Sequence, residues 1–247
     1  MGKGLSTIRI LALGDPHLSF RENGQEYKPM DIFGSRWHDH TQQLRQKWCR
    51  IVRAEDVVLM PGDISWAMSL EEAAPDLAFL AGLPGRKIIT KGNHELWWDT
   101  ISKVRKALPA GIMAVQNDHI LLENGVAICG TRGWQCPEGT FASEQDEKIF
   151  LREVGRLELS LRSVPKDVPH KIVMLHFPPT NIKQEMSPFI ELMLAYGAEI
   201  CVYGHLHDQF QSASALQGRK WGMDFHLVSA DHLQFEPKCI YNGEDAE

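Results

Sequence analysis

Ile8-Arg9-Ile10-Leu11-Ala12-Leu13-Gly14-Asp15-Pro16-His17 is a short, largely apolar run that stops at a glycine and hands over to an aspartate and a histidine. Four further runs end in the same way. Residues 57–60 lead to Gly62-Asp63, and residues 87–90 lead to Lys91-Gly92-Asn93-His94-Glu95. Residues 172–175 lead to His176, and residues 200–203 lead to Gly204-His205-Leu206-His207. Runs of this length and content read as buried parallel strands. Open α/β sheets bind ligands at the carboxyl ends of their strands. The pattern therefore gathers Asp15, His17, Asp63, Asn93, His176, His205 and His207 on one edge of the fold. Such a set of oxygen and nitrogen donors suits two divalent metals that share a carboxylate, an arrangement made for phosphoester hydrolysis.

Between these runs the chain alternates toward helix. Residues 19–36 are polar, with Gly24, Pro29 and Gly34, and read as a long loop. A loop longer than about 15 residues is usually functional or disordered. This one leaves the strand that carries Asp15 and His17, so it is expected to act as a lid or a substrate-contacting loop. Leu44, Trp48, Ile51 and Val52 share one face of a helix over residues 37–53. Further helices are expected at 70–83, 96–108, 144–163 and 188–196, and further strands at 112–115, 119–122, 126–130, 225–228 and 235–241. Pro75 is an oddity near the start of the 70–83 helix. No internal repeat, low-complexity segment or interdomain linker interrupts the 247 residues, which read as one domain with a loop-helix insertion at about 19–53. Strands alternating with helices, then a β-rich end, define an α/β sandwich.

Composition narrows the classes. Hydrophobic content of 43% and charged content of 23% are ordinary for a globular chain. A net charge of −6 argues against binding duplex nucleic acid by neutralising its phosphates. No apolar stretch approaches the roughly 20 residues of a membrane span, and the first residues lack a signal-peptide core. The cysteines, Cys49, Cys129, Cys136, Cys201 and Cys239, are odd in number and form no Cys-x-x-Cys pair. They read as reduced, mostly buried thiols of a cytoplasmic protein. His38, His40, His119, His170, His226 and His232 match no motif and read as surface or satisfied histidines.

The motifs resemble those of the calcineurin-like metallophosphoesterase family: Asp-x-His, Gly-Asp, Gly-Asn-His-Asp/Glu, a lone His, and Gly-His-x-His. All five stand in that order between Asp15 and His207. The resemblance implies a four-layer α/β/β/α sandwich of two mixed sheets flanked by helices, with the metal site at the carboxyl ends of the strands. It implies that Asp15, His17 and His207 hold one metal, that Asn93, His176 and His205 hold a second, and that Asp63 bridges them. Family precedent favours manganese or an iron–manganese pair, and the donors also suit zinc, cobalt or nickel. A metal-bridging hydroxide would attack phosphorus in line, with His94 facing the leaving-group oxygen as general acid or electrostatic partner.

The pattern also departs from part of that family. Its Ser/Thr protein phosphatases continue the second motif as Gly-Asp-x-Val-Asp-Arg-Gly and place an arginine soon after Gly-Asn-His-Glu. Here the segments read Gly62-Asp63-Ile64-Ser65-Trp66-Ala67 and Leu96-Trp97-Trp98. An arginine fork suits a phosphate dianion, and both are missing. The expected substrate is therefore a phosphodiester or small phosphomonoester, with a phosphoprotein as the alternative. Arg132, between Gly130 and Gly133, is a candidate replacement for binding the phosphate. Trp37, Trp66, Trp97, Trp98 and Trp134 cluster around the motifs, as core or as walls of a pocket. A non-catalytic scaffold of the same fold is the reading from another class. Decay to a scaffold would have cost ligands or His94, and all of them stand. The sequence leaves the oligomeric state open.

Overall fold

A computed structural model describes residues 8–207 and 212–243. Two mixed sheets stack face to face. The first runs in the order β11 (Lys238–Tyr241), β1 (Ile10–Ala12), β2 (Val57–Met60), β3 (Arg86–Ile89) and β4 (Ile112–Ala114). The second runs β5 (His119–Leu121), β6 (Val126–Thr131), β7 (His170–Leu175), β8 (Ile200–Tyr203), β10 (Met223–Leu227) and β9 (Gly218–Lys220). In each sheet the inner strands are parallel, and β11, β5 and β9 pair antiparallel at the edges.

Alternation along the strands builds the layers. Ile10, Ala12, Val57 and Leu59 face Ile128, Ile172, Met174 and Val202 in a core between the sheets. Their neighbours Leu11, Leu13, Val58 and Met60 point the other way, toward α1 (His40–Ile51), α2 (Leu70–Ala81) and α3 (Ile101–Ala107). On the far side, Cys129, Val173, Leu175 and Cys201 pack against α4 (Glu144–Arg162) and α5 (Pro188–Ala195). The result is the α/β/β/α sandwich. A strand buried on both faces needs an unbroken apolar run, which is why these segments are so visible in the sequence.

The helices start where their chemistry dictates. Ser69, Ser143 and Ser187 each accept an N–H from the residue three positions on, Glu72, Asp146 and Ile190. A cap of this kind is worth about 1 kcal/mol. Pro75 lies inside α2, which continues through it. The helix expected from 96 begins only at Ile101. Residues 96–98 instead make a tight turn, with Leu96 N–H donating to His94 O and Trp98 N–H to Glu95 O. Strand β9, Gly-Arg-Lys, carries no apolar run and is not anticipated by the sequence. Among the described residues no helix is long and apolar enough to cross a membrane.

Candidate metal centre

Every motif lands at the same edge. Asp15 and His17 follow β1, Asp63 follows β2, Asn93 and His94 follow β3, His176 follows β7, and His205 and His207 follow β8. The two sheets are stitched there, with Gly14 N–H donating to Val228 O at 2.7 Å. Three strands of one sheet and two of the other thus deliver polar ends into one place.

Donor atoms of Asp15, His17 and His207 lie within 4.8 Å of one another, and those of Asp63, His176 and His205 do the same. His17 Nε2 and His207 Nε2 are 3.2 Å apart. In the second group His176 Nε2 lies 2.6 Å from Asn93 Oδ1 and 3.2 Å from His205 Nδ1. Asp63 joins the groups: its Oδ2 is 3.4 Å from His176 Nε2 and 3.9 Å from His17 Nε2. The seven residues read from the sequence as ligands are brought together.

Hydrogen bonds behind the donors fix which atoms face inward. The His176 Nδ1–H donates to Pro61 O at 3.0 Å and that of His207 to Asp231 Oδ1 at 2.8 Å, tautomers inferred from these partners. Both Nε2 atoms therefore present lone pairs to the centre. Asp63 Oδ1 accepts the His94 N–H at 2.9 Å, which turns Oδ2 toward both groups. Asp15 Oδ2 accepts the His205 N–H at 3.1 Å, whereas Asp15 Oδ1 is buried with no hydrogen-bond partner. Lone pairs facing lone pairs, beside an orphaned carboxylate oxygen, are costly unless a cation lies between them. Mixed imidazole, carboxylate and amide donors fit divalent transition metals.

The backbone is bent to make this arrangement. Asp15, His17, Asp63 and His205 have φ of 54°, 47°, 49° and 72°, in the left-handed region. Such residues cost of order 1–3 kcal/mol each and persist where the surroundings over-determine them, commonly at functional sites. The glycines of the motifs make room. A Cβ at Gly62 would meet the Gly92 backbone at 2.7 Å and His176 Nδ1 at 2.8 Å, and one at Gly204 would overlap the Asp15 carboxylate.

Burial sets the protonation tendencies of this cluster. It pushes the Asp15 carboxyl up to about 8, helped by the charge of Asp63. Burial holds His17 well below its ordinary 6.5, lowers His176, and brings His205 down to about 3, so these rings stay neutral donors. Burial opposes the His207 imidazolium too, but the hydrogen bond to Asp231 and the charges of Asp15, Asp231 and Asp63 outweigh it and raise its pKa. For Asp63 burial likewise loses, here to the histidines and the His94 N–H, and its pKa falls. Buried Glu95 accepts N–H bonds from Asp63, Ile64 and Gly92 and so ties the second motif to the third.

A cavity of about 510 Å³ opens over the centre, lined by His17, Asp63, His94, His205 and His207 and walled by Met30, Phe33, Arg36, Trp37 and Trp66. His94, with a side chain 43% exposed, reaches into it with Nε2 4.0 Å from Asp63 Oδ2. Trp66 stacks on His17 at 4.9 Å, and Lys28 sits 3.1 Å over the Trp66 ring. Trp97 and Trp98 are buried in the core beside the first sheet. The second half of the 19–36 loop reaches the cavity, whereas Phe20 turns away to pack on Phe79 of α2.

Arg132 does not line this cavity. Glu153 of α4 pairs with its guanidinium at 3.3 Å, and Trp134 stacks 4.6 Å from it. The cation at the metal cavity is Arg36, unmarked by any motif, which donates to His207 O at 3.0 Å and pairs with Asp231 at 3.1 Å. Asp231 was missed as well, although it follows an apolar strand as the ligands do.

The sequence model of calcineurin-like phosphoesterases matches residues 8–209, and the chain belongs to that family. It is accordingly a metal-dependent phosphoesterase. Among solved structures, the phosphopantetheinyl hydrolase of Mycobacterium tuberculosis is 16% identical, with 91% of this chain and 89% of that one covered and a TM-score of 0.54. A protein of unknown function from Aquifex aeolicus is 15% identical, with 94% and 95% covered and a TM-score of 0.48. Likeness at such identities concerns the fold alone. No curated protein matches the sequence at a significant level.

Proposed function

We propose that the chain is a dinuclear phosphohydrolase acting on a phosphodiester or small phosphomonoester. Asp15, His17 and His207 hold one divalent metal, Asn93, His176 and His205 the other, and Asp63 serves both. The observation that carries this is Asp63 Oδ2, which faces His17 Nε2 of one group and His176 Nε2 of the other. A pair of divalent cations supplies Lewis acidity toward the phosphoryl oxygens and an acidified water as nucleophile, and manganese or an iron–manganese pair is the favoured occupant.

The chain's own residues do the rest. Asp231 and the Pro61 carbonyl hold the His207 and His176 rings with Nε2 inward. His94 stands at the cavity wall, where it meets the leaving-group oxygen and gives it a proton. Arg36 adds a positive charge on the loop side, and Trp66 and Trp37 form an apolar wall. The loop that carries Arg36 limits the cavity to a small phosphoester. The five free cysteines, three of them buried, suit a reducing cytoplasm.

Elemental analysis together with a panel of phosphomonoesters, cyclic and linear phosphodiesters and phosphopeptides tests the reading. Two metals per chain and turnover of small esters are the expected result. Preference for phosphopeptides would install the protein phosphatase reading, and intact metals without turnover of any ester the scaffold reading.

A further inference from the structure

A second cavity, of about 260 Å³, shares no lining residue with the metal cavity. Lys91, Arg132, Arg152 and Arg156 all line it. Its acidic residues are Asp99 and Glu153. Asp99 is engaged by Lys103 at 2.6 Å. Glu153, fully buried, is shared among Arg156 at 2.6 Å, Arg132 at 3.3 Å and the Thr131 hydroxyl at 2.8 Å. Two guanidinium groups thus share one buried carboxylate, and Lys91 and Arg152 line the same cleft. Arg132 Nε is itself buried with no hydrogen-bond partner. Like charges crowded in a partly buried cleft repel each other more strongly than they would in water. Guanidinium groups are also the side chains best shaped to grip phosphate oxygens. The volume falls below the roughly 300–1,000 Å³ of drug-sized pockets and is ample for a compact anion.

We propose that this cleft is a second anion site, separate from the metal centre, that binds a phosphate group through Arg132, Arg152 and Lys91. The phosphate is either free or the arm of a small metabolite. The placement gives the site a line to the metal centre. Lys91 is two residues before Asn93, and the carbonyl of Arg132 accepts the backbone N–H groups of His176 and Phe177, each at 3.0 Å. An anion gripped there touches the segments that carry two of the second group's ligands.

The test counts phosphate on the metal-loaded chain. Equilibrium dialysis with radiolabelled inorganic phosphate is run on the parent, on Arg152→Glu, which changes an exposed side chain at the rim, and on Arg132→Gln. The expected result is one phosphate fewer per chain in Arg152→Glu at concentrations that saturate the parent, with affinity for that phosphate at least about tenfold weaker in Arg132→Gln. Two bound phosphates in the parent and one in Arg152→Glu support both the metal centre and the anion site. One in the parent and none in Arg152→Glu supports the anion site while undercutting phosphate binding at the metals. Equal numbers in parent and both variants overturn the anion site and leave the metal reading untouched. A competing series with methyl phosphate and glycerol phosphate separates the sources: displacement by the esters at concentrations like those of inorganic phosphate points to a metabolite arm, and failure to displace points to the free ion.

Discussion

Asp231→Asn is the substitution that best isolates what stands behind the metal centre. The carboxylate is fully buried; Oδ1 accepts His207 Nδ1–H at 2.8 Å and Oδ2 pairs with Arg36 at 3.1 Å. An asparagine keeps the shape and one acceptor for His207 but removes the charge and turns an NH₂ toward Arg36. Carboxylates that orient a metal-binding histidine typically contribute 10–100-fold in metal affinity or activity. At about 1.4 kcal/mol per tenfold, that is roughly 1.4–2.8 kcal/mol. The deficit should fall on the metal held by Asp15, His17 and His207, because Asp231 touches no donor of the other group.

The pH dependence sharpens this prediction. The His207 pKa is raised above 6.5 in the metal-free protein, and the hydrogen bond to Asp231 is the largest cause favouring the proton, working against burial. Protons therefore compete with metal at His207 as pH falls through that raised value. In Asp231→Asn burial is less opposed, the His207 pKa drops, and proton competition weakens. The affinity deficit should be largest near pH 8 and shrink toward pH 6. Competition titrations against a chromophoric chelator at both pH values measure it. Unchanged affinity at pH 8, or a deficit that grows as pH falls, refutes the role given to Asp231.

Three other outcomes follow from the same geometry. Asp63→Asn should lower metal content in both groups and reduce activity more than Asn93→Ala does; two metals per chain with near-normal turnover would remove Asp63 from its shared position. His94→Ala should keep its metals and lose about 10²–10⁴ in kcat, with a smaller loss for p-nitrophenyl esters than for alkyl esters, since p-nitrophenolate leaves without a proton. Equal losses across leaving groups would take the acid role away. Metal-stripped protein should lose thermal stability between pH 6.5 and 8. Folded Asp15 and Glu95 hold their protons up to about 8 whereas the unfolded chain releases them near 4, so stability is lost as pH rises; the neutral histidines act in the opposite sense only below 6.5. Melting curves with and without metal decide this, and parallel pH slopes would count against it.

What the sequence shows plainly is whatever sits at a strand end. Each ligand follows an apolar run by a few residues, and a strand buried on both faces has to be apolar throughout, so the run and its polar end mark each other. Arg36 has no such marker: it lies 171 residues from the His207 carbonyl it binds, inside a polar loop, and only the folded chain brings them together. Asp231 follows β10 at a distance of four residues, and its meaning depends on β10 pairing with β8, which skips β9 in chain order. The helix expected from residue 96 starts later, because Glu95 commits its turn to the second motif and α3 begins only at Ile101. Arg132 follows β6 as the ligands follow their strands, but Glu153, 21 residues later on α4, accepts from its guanidinium, and the cleft it lines is not the metal cavity.

The arrangement of charge explains why metal and fold should be inseparable at this edge. Asp15, Asp63, Glu95 and Asp231 are all buried, and among the described residues the Lys or Arg side chain that pairs with any of them is Arg36. Four carboxylates with one guanidinium and a set of neutral imidazoles make a strongly electronegative interior, which desolvation penalises. Two dications bring four positive charges to the same place. Without them burial favours the protonated forms of Asp15 and Glu95, both pushed up to about 8, and the neighbouring carboxylates raise His207. Protons on these two groups are thus substitutes for metal, one buried against Asp63 and the other beside His207. Metal binding should release them, and proton release measured by titration in weak buffer should exceed the two protons that His207 and a metal-acidified water would give up near pH 7. Release of two protons or fewer on loading both metals would show that the carboxylates are already ionised, and that the electronegative edge is stabilised by something other than the cations assigned to it.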